Sequence, residues 1–227
     1  MHVFWSTPKT VGLAPIRADA SRGSPASAMC TTLTRRGMLE GMTLWSPDAW
    51  HAAWTFAADA HEGQLVPGSR RPYLAHIGAV AMELSHAIAS RAALGDPVAQ
   101  PDLAIQAALL HDTVEDTDVT VEQLRERFGD AVAAGVAALS KDPSVGDKPA
   151  QMRDSLARIR AQPAEIWMVK LADRITNLEP PPHYWSADKI AAYRVEAGQI
   201  HAQLGDACPV LGARLLARIA AYPPAPR

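Results

Sequence analysis

The sequence predicts an all-α protein that folds as a compact bundle of helices. Apolar residues recur three and four positions apart along most of the chain, which is the period of a helix that buries one face. Alanine and leucine, both strong helix formers, are abundant, and no segment shows the apolar and polar alternation of a half-buried strand. With 227 residues, of which 48% are hydrophobic, the chain can bury a sizeable core.

Capping residues and prolines place the helices along the chain. Ser46 and Pro47 are typical of the N-cap and first position of a helix, and Thr120 and Gly129 mark the start and stop of a short one. We expect Pro72 to occupy the first position of the second helix. The predicted helices cover residues 47–61, 72–90, 102–112, 120–128, 130–139, 149–161, 164–178, 187–204 and 209–222.

Two proline-containing segments interrupt this series of helices. The polar loop with Pro143 and Gly146 is the segment that we expect to act as a flexible flap over a site. The three consecutive prolines at 180–182 break the chain rigidly between two later helices.

The domain organisation follows from a change in composition near residue 43. Residues 1–43 are rich in Ser, Thr, Pro, Gly and Arg and predict a flexible amino-terminal tail. Residues 44–222 form the predicted helical domain, and residues 223–227 a short carboxy-terminal tail. The two cysteines, Cys30 and Cys208, fit no metal-binding spacing, and we expect neither to be functional.

Charge and hydropathy limit the classes of partner. A formal net charge of −2 provides no broad positive surface for nucleic acid or acidic lipid, so we expect a small-molecule partner. No apolar run reaches membrane-spanning length, and the amino terminus lacks a secretion signal. The expected location is the cytoplasm, and a homo-oligomer is left open.

Four side chains that can bind metals or protons follow directly on an apolar helix. The run at 102–110 reads DLAIQAALL, and it is followed by His111, Asp112, Glu115 and Asp116. A buried carboxylate costs several kcal/mol unless it is paired, protonated or bound to a cation, and a divalent metal supplies such a partner. If the helix ends near Asp112, the adjacent histidine and aspartate can converge on one ion and leave the two later acids beside a bound water.

Two further segments carry polar residues on apolar helices. His76 lies in PYLAHIGAVAMEL, and Asp173 and Asn177 lie four positions apart on one face of IWMVKLADRITNL. A histidine–aspartate pair alone is more often structural than functional. The presence of these other segments favours a metal-dependent hydrolase instead.

The order of these motifs resembles that of the HD-domain phosphohydrolases. It is most similar to the hydrolase half of the RelA/SpoT alarmone enzymes, and in particular to their stand-alone small forms, which include a metazoan homologue. The resemblance extends over about residues 46–222 and rests on His76, His111–Asp112, Glu115–Asp116, Asp173 within KLADR, Phe128–Gly129 and the WSADKIAAY segment at 185–193.

The resemblance implies a helical HD-domain bundle and a specific reaction. Its metal ligands would be His76, His111, Asp112 and Asp173, whereas Glu115 and Asp116 would position and deprotonate the attacking water. A mixed nitrogen and oxygen site suits manganese, iron or zinc, and the resemblance favours manganese. The implied function is removal of the 3′-pyrophosphate from guanosine tetra- and pentaphosphate, giving GDP or GTP.

Substrate contacts are implied less uniquely than the metal ligands. Asn177 would contact the nucleotide or orient Asp173, and Tyr193 would lie near the substrate or serve only in packing. Arg174 could meet phosphate charge, and Arg71 belongs to a local basic pair that we expect to reach the substrate.

The chain also departs from the alarmone enzymes in three places. Their arginine–lysine pair follows the AHEGQ segment at 60–64, whereas the basic pair of this chain is displaced to 70–71. Thr176 stands where a histidine is common, and the segment at 151–156 lacks the usual asparagine and lysine. These departures leave two alternatives open: a phosphohydrolase of another nucleotide, for example an NADPH 2′-phosphatase, and a nucleotide-sensing module without catalysis. The presence of both Glu115 and Asp116 argues against the second.

Overall fold

Ten α-helices form the described part of the chain, residues 44–224 of a computed structural model. They are α1 (Pro47–Ala60), α2 (Leu74–Ala93), α3 (Pro101–Leu110), α4 (Thr113–Asp116), α5 (Val121–Phe128), α6 (Asp130–Leu139), α7 (Lys148–Arg160), α8 (Ala164–Asn177), α9 (Ala187–Leu204) and α10 (Pro209–Ala221). Within these residues no strand forms, and the predicted all-α class is confirmed. The predicted amino-terminal tail, Cys30 and residues 225–227 lie outside the described residues.

Several helix starts follow the sequence signals closely. Ser46 caps α1, accepting a hydrogen bond from the backbone nitrogen of Ala49, and Pro47 occupies the first turn. Thr120 caps α5 in a capping box, in which its side chain and that of Gln123 each accept from the other's backbone nitrogen. Such caps satisfy backbone groups that a helix end leaves without partners.

The start predicted for the second helix is wrong by two residues. Pro72 does not begin α2 but pairs with Leu65 in an isolated antiparallel bridge. The backbone nitrogen of Tyr73 donates to the carbonyl of Gln64, which closes the loop before the helix starts. Pairing across this loop holds Pro72 outside the helix, and α2 begins at Leu74.

The third helix ends two residues earlier than the predicted range. α3 stops at Leu110, and a turn through His111 and Asp112 leads into the short helix α4. The backbone nitrogen of Asp116 bonds the carbonyl oxygen of Asp112. No helix was predicted at 113–116, because a helix of four residues is too short to show a helical period in the sequence.

α3 and α8 form the centre of the core. Seven of the ten residues of α3 are buried, as are ten of the fourteen residues of α8. α1, α2 and α8 all pack against α3, and α2 also packs against α8. The polar residues at the end of α3, in the first turn of α2 and along α8 are therefore brought together inside the bundle.

The loop between α6 and α7 contains a short 3₁₀ turn, Pro143–Val145. Gly146 follows it with a φ of 97°, in the region that favours glycine. The flap role of this loop stays a prediction. Among the described residues, no helix combines the length and the apolar character that crossing a membrane requires.

Gly212 allows α10 to approach the turn that precedes it. A Cβ at this position would lie 2.8 Å from the carbonyl oxygen of Gly205, closer than such atoms can approach. Because the obstacle is backbone, it cannot rotate away. Gly198 in α9 provides the contrast, since a Cβ there would meet no atom within 4 Å.

We expect Gly212→Ala to lower the free energy of unfolding by about 1–3 kcal/mol, because the added methyl must displace backbone. Gly198→Ala should raise it by about 0.5–1 kcal/mol, because alanine is the better helix former. Thermal unfolding followed by circular dichroism measures both. Equal effects of the two substitutions would show that Gly212 does not limit the packing of α10.

Candidate active site

His111 ends the apolar helix α3 with one ring nitrogen bonded and the other unbonded. Its Nδ1 lies 2.8 Å from the carbonyl oxygen of Ala108. Because a carbonyl can only accept, Nδ1 carries a proton, and in the neutral ring Nε2 carries the lone pair. The residue is 3% exposed, and although Asp112 Oδ2 lies 2.9 Å from its Nε2, that nitrogen takes part in no hydrogen bond within residues 44–224. A buried nitrogen lone pair without a donor is suited to binding a cation.

Asp112 and His76 meet the unbonded nitrogen of His111. Asp112 Oδ2 lies 2.9 Å from His111 Nε2 and 3.5 Å from His76 Nε2. One ligand atom from each of these three residues lies within 4.8 Å of the others, so that they can share one ion. The arrangement depends on the end of α3 at Leu110, since adjacent side chains on a continuous helix diverge by about 100°.

Asp173 on α8 joins this group. Its Oδ1 lies 3.6 Å from His76 Nε2 and 3.8 Å from His111 Nε2. Lys170 donates to Oδ2 at 2.9 Å, and Asn177 donates to Oδ1. The three α8 residues are three and four positions apart and share one face. Asn177 was expected either to contact the nucleotide or to orient Asp173. The hydrogen bond from Asn177 to Asp173 corresponds to the second role.

Mutual attraction keeps the buried groups of this cluster charged. Burial raises the pKa of Asp112, but the imidazoles of His111 and His76 outweigh it and hold that pKa well below its usual range. Burial also raises the pKa of Asp173, yet Lys170 and the imidazoles lower it to about 2. Burial lowers the pKa of His111, but the Asp112 carboxylate outweighs this and raises it to about 9. The cluster therefore attracts positive charge, which a proton or a metal cation can supply.

The donor set fits a divalent metal. Two imidazoles and two carboxylates come from α2, the turn after α3, and α8, and no thiolate takes part. Such nitrogen and oxygen sets bind manganese, iron or zinc, and they leave coordination positions for water. The unbonded Nε2 of His111 supports the same interpretation, because a cation would satisfy it.

Glu115 and Asp116 on α4 have different surroundings. Both oxygens of Glu115 are engaged by Lys141: Nζ lies 2.8 Å from Oε1, and the backbone nitrogen lies 2.9 Å from Oε2. Asp116 Oδ2 lies 3.0 Å from the hydroxyl of Tyr73, which also lies 2.6 Å from Asp112 Oδ2. Burial, Asp112 and Glu115 raise the pKa of Asp116, against the opposing hydrogen bond from Tyr73.

Two of these polar residues, Tyr73 and Lys141, were not predicted from the sequence. Tyr73 lies three positions before His76, so helical spacing would have placed it beside that histidine. Lys141 carries no comparable signal, because it lies 26 positions from its partner Glu115 on a different segment. Its contact is decided by how α4 and the end of α6 pack.

A cavity of about 660 Å³ opens above this cluster. Asp112, Glu115, Asp116 and Asp173 line one part of it. Its cationic side chains come from several elements and are Lys141, Lys148, Lys170, Arg174 and Lys189. A cavity with a metal-binding acidic part and several cations can hold a polyphosphate beside the metal.

The predicted substrate contacts fall into two groups. Asn177, Arg174 and Tyr193 line the cavity. Arg71 does not, and its guanidinium is paired with Glu179 at 2.8 Å on the surface. The displaced basic pair therefore lies apart from the residues that meet at the cluster.

Comparisons with known proteins identify a family and several relatives that the chain resembles. The profile of a family described as HD domain matches residues 53–210. The MESH1 guanosine-3′,5′-bis(diphosphate) 3′-pyrophosphohydrolase of Danio rerio is 35% identical over 150 residues, which make up 64% of this chain and 78% of that protein. An enzyme of Vibrio cholerae named guanosine-3′,5′-bis(diphosphate) 3′-pyrophosphohydrolase is 37% identical over 137 residues, 58% of this chain but only 18% of the enzyme.

A solved structure shares the fold. It is described as a metazoan ortholog of SpoT that hydrolyzes ppGpp, and it aligns with a TM-score of 0.64 and 24% sequence identity. The alignment covers 78% of this chain and 97% of that one. At this identity the likeness shows the fold alone.

We expect manganese to raise the melting temperature of the chelator-treated protein, since a ligand at one hundred times its Kd stabilises the folded state by about 2.7 kcal/mol. His76→Gln should remove most of this rise. His86→Gln, at an exposed histidine further along α2, is the matched control and should keep it. Thermal unfolding with and without the metal measures the difference, and an undiminished rise in the His76 variant would exclude it as a ligand.

Proposed function

The chain belongs to the HD domain family, and from this premise we propose that it is a metal-dependent hydrolase of guanosine tetra- and pentaphosphate. It would cleave the bond between the ribose 3′-oxygen and phosphorus, giving GDP or GTP and pyrophosphate. The observation that carries the proposal is the meeting of two imidazoles and two carboxylates beside a cavity with several cations. The names of the relatives support the substrate.

The proposed metal ligands are His76, His111, Asp112 and Asp173, and the proposed metal is manganese. When bound, such a cation lowers the pKa of its water and neutralises charge that develops on phosphoryl oxygens. The chain's own contribution is to hold the four donors in place. Lys170 and Asn177 do so for Asp173, and the carbonyl of Ala108 does so for His111.

We assign the proton transfer to Asp116 and the positioning role to Glu115. A general base needs a free oxygen near the water that it deprotonates. Lys141 donates to both oxygens of Glu115 and so fixes that carboxylate, whereas among the described residues Tyr73 contacts only one oxygen of Asp116 and leaves the other without a donor. The proton taken by Asp116 can later be given to the departing 3′-oxygen, which balances the reaction.

The cations of the cavity would hold the phosphate groups. Guanosine tetraphosphate carries two diphosphates, and each needs positive partners once water is excluded. Lys141, Lys148 and Lys170 line the cavity together with the acidic cluster, which supports the proposal that they contact the diphosphate that is cleaved. Arg174 and Tyr193 stay proposed substrate contacts further along the wall, and Arg71 could join them only by leaving Glu179.

The second candidate is a phosphohydrolase of another nucleotide, such as an NADPH 2′-phosphatase. The position of Arg71 outside the cavity favours it, because the basic pair expected to reach alarmone phosphates is not there. A sensing module without catalysis is disfavoured, since Glu115 and Asp116 are both present and both line the cavity. We expect a small nucleotide as the partner, no nucleic acid, and a cytoplasmic location. A homo-oligomer is left open.

With manganese, the purified protein should release pyrophosphate and GDP from guanosine tetraphosphate and should lose this activity after chelation. NADPH should yield little inorganic phosphate under the same conditions. Chromatography of nucleotides and separate assays of phosphate and pyrophosphate distinguish the two substrates. Release of phosphate from NADPH with intact guanosine tetraphosphate would replace the first proposal by the second.

We expect Asp116→Asn to lower kcat by about 10²–10⁴-fold, the usual contribution of a general base. Glu115→Gln should lower it less, because its role is positional. Asp118→Asn, two residues further on and exposed, is the control and should leave kcat within about twofold of the parent. Steady-state kinetics at saturating substrate gives these values. A larger loss in the Glu115 variant than in the Asp116 variant would reverse the two roles.

A further inference from the structure

One wall of the cavity is formed by α9, and the carboxylate of Glu196 on that wall can accept hydrogen bonds. Its side chain is 30% exposed and lines the cavity with Ala192 and Tyr193. Oε1 accepts a hydrogen bond from Nη2 of Arg174, and within the described residues no donor contacts Oε2. A carboxylate has about four lone-pair sites, so most of its capacity is available to a ligand.

Arg174 holds this carboxylate in place through a hydrogen bond and an ion pair. The guanidinium is buried at 3% exposure, and its Nε and Nη1 have no hydrogen-bond partners among residues 44–224. The ring of Tyr193 lies 4.2 Å from the guanidinium carbon and restricts it from one side. A buried cation needs a counter-charge nearby, so Glu196 cannot leave Arg174 without a large cost.

The same wall has apolar surface for a planar ring. Trp185 and Tyr193 pack edge to face with their centres 5.1 Å apart, and both line the cavity. Lys189 lies 4.2 Å over the Trp185 ring, and it forms no ion pair with Glu196 in the described part of the chain. The acceptor is therefore not neutralised by the nearest lysine of its own helix.

The wall begins next to the proposed metal ligands. Arg174 follows Asp173 directly on α8, and its partner Glu196 lies on α9. A nucleotide whose 3′-phosphate lies at the acidic cluster can extend its base along this wall. Its 3′-oxygen is phosphorylated, so the ribose cannot offer the pair of hydroxyls that a carboxylate could otherwise bind.

Resting on the proposed function, we infer that Glu196 is a specificity-determining residue that recognises the guanine base. Guanine offers two parallel donors, N1–H and the N2 amino group, which match the two oxygens of a carboxylate. Adenine offers one donor beside the N1 lone pair, and that lone pair would face a negative oxygen. Glu196 therefore selects guanine by attraction and excludes adenine by repulsion.

Hydrolysis of three base-modified substrates tests this inference. The 3′,5′-bis(diphosphates) of guanosine, inosine and adenosine differ in the donors of that edge, and inosine lacks only the N2 amino group. We expect kcat/KM for the parent protein to fall about tenfold for inosine and about a hundredfold or more for adenosine, as for lost hydrogen bonds to a charged group. Equal values for guanosine and inosine would overturn the inference without any variant.

Glu196→Gln is the matching substitution in the protein. Glutamine keeps an oxygen for Arg174 but replaces the other oxygen by an amide donor, which suits the adenine edge. We expect kcat/KM for the guanosine substrate to fall about tenfold or more and that for adenosine to rise, with kcat for guanosine little changed. An unchanged guanosine-to-adenosine ratio would overturn the inference.

Two controls separate a loss of base recognition from a general loss of activity. Glu83→Gln changes a carboxylate that is likewise paired with an arginine, Arg214, but lies on another face, and it should preserve the base preference.

Calorimetric binding of GDP, IDP and ADP gives the same comparison without turnover. If the parent cleaves none of the substrates, the proposed function fails. The inference still stands if GDP binds more tightly than ADP in the parent but not in Glu196→Gln, and it fails if the two proteins have the same binding ratio.

Discussion

The attraction between buried carboxylates and imidazoles at the end of α3 is the interaction on which the site depends. Asp173 is buried and Asp112 is half-buried, and each stays ionised because positively charged or polar partners surround it. The cost of burial is offset within the cluster by Lys170 and the histidines. The same balance favours a divalent cation, which would add the positive charge that two carboxylates attract.

A second buried charge, on Arg174, organises the part of the cavity that α9 lines. Arg174 is adjacent in sequence to Asp173 but points to α9, where Glu196 balances it. α8 therefore carries two functional groups on consecutive residues: Asp173, a proposed metal ligand, and Arg174, the cation that pairs with Glu196. The packing of α8 between α2 and α9 thus couples the position of the proposed base-binding wall to the position of the metal-binding groups.

Contacts between residues far apart in sequence distinguish the roles of Glu115, Asp116 and Arg71, which their residue types alone left open. Glu115 and Asp116 are adjacent acids on α4 and were equivalent candidates for the base. Lys141 engages one of them fully and Tyr73 engages the other only partly, which separates a positioning group from a proton acceptor. Arg71 shows the opposite case, since its residue type fits phosphate binding but the loop around it directs it to Glu179.

The sequence by itself determined the helical class, most helix positions and the identity of the residues that meet at the cluster. The helical class and the helix positions depend on local signals, namely apolar periodicity and capping residues. The set of His76, His111, Asp112 and Asp173 was implied by the resemblance of the motif order to the HD-domain phosphohydrolases. Only the tertiary structure decided that α3 stops at Leu110, that Lys141 reaches Glu115 over 26 positions, and that Glu196 faces Arg174 over 22. Such contacts depend on how separate helices pack, and the pattern of residues along any one helix does not contain that information.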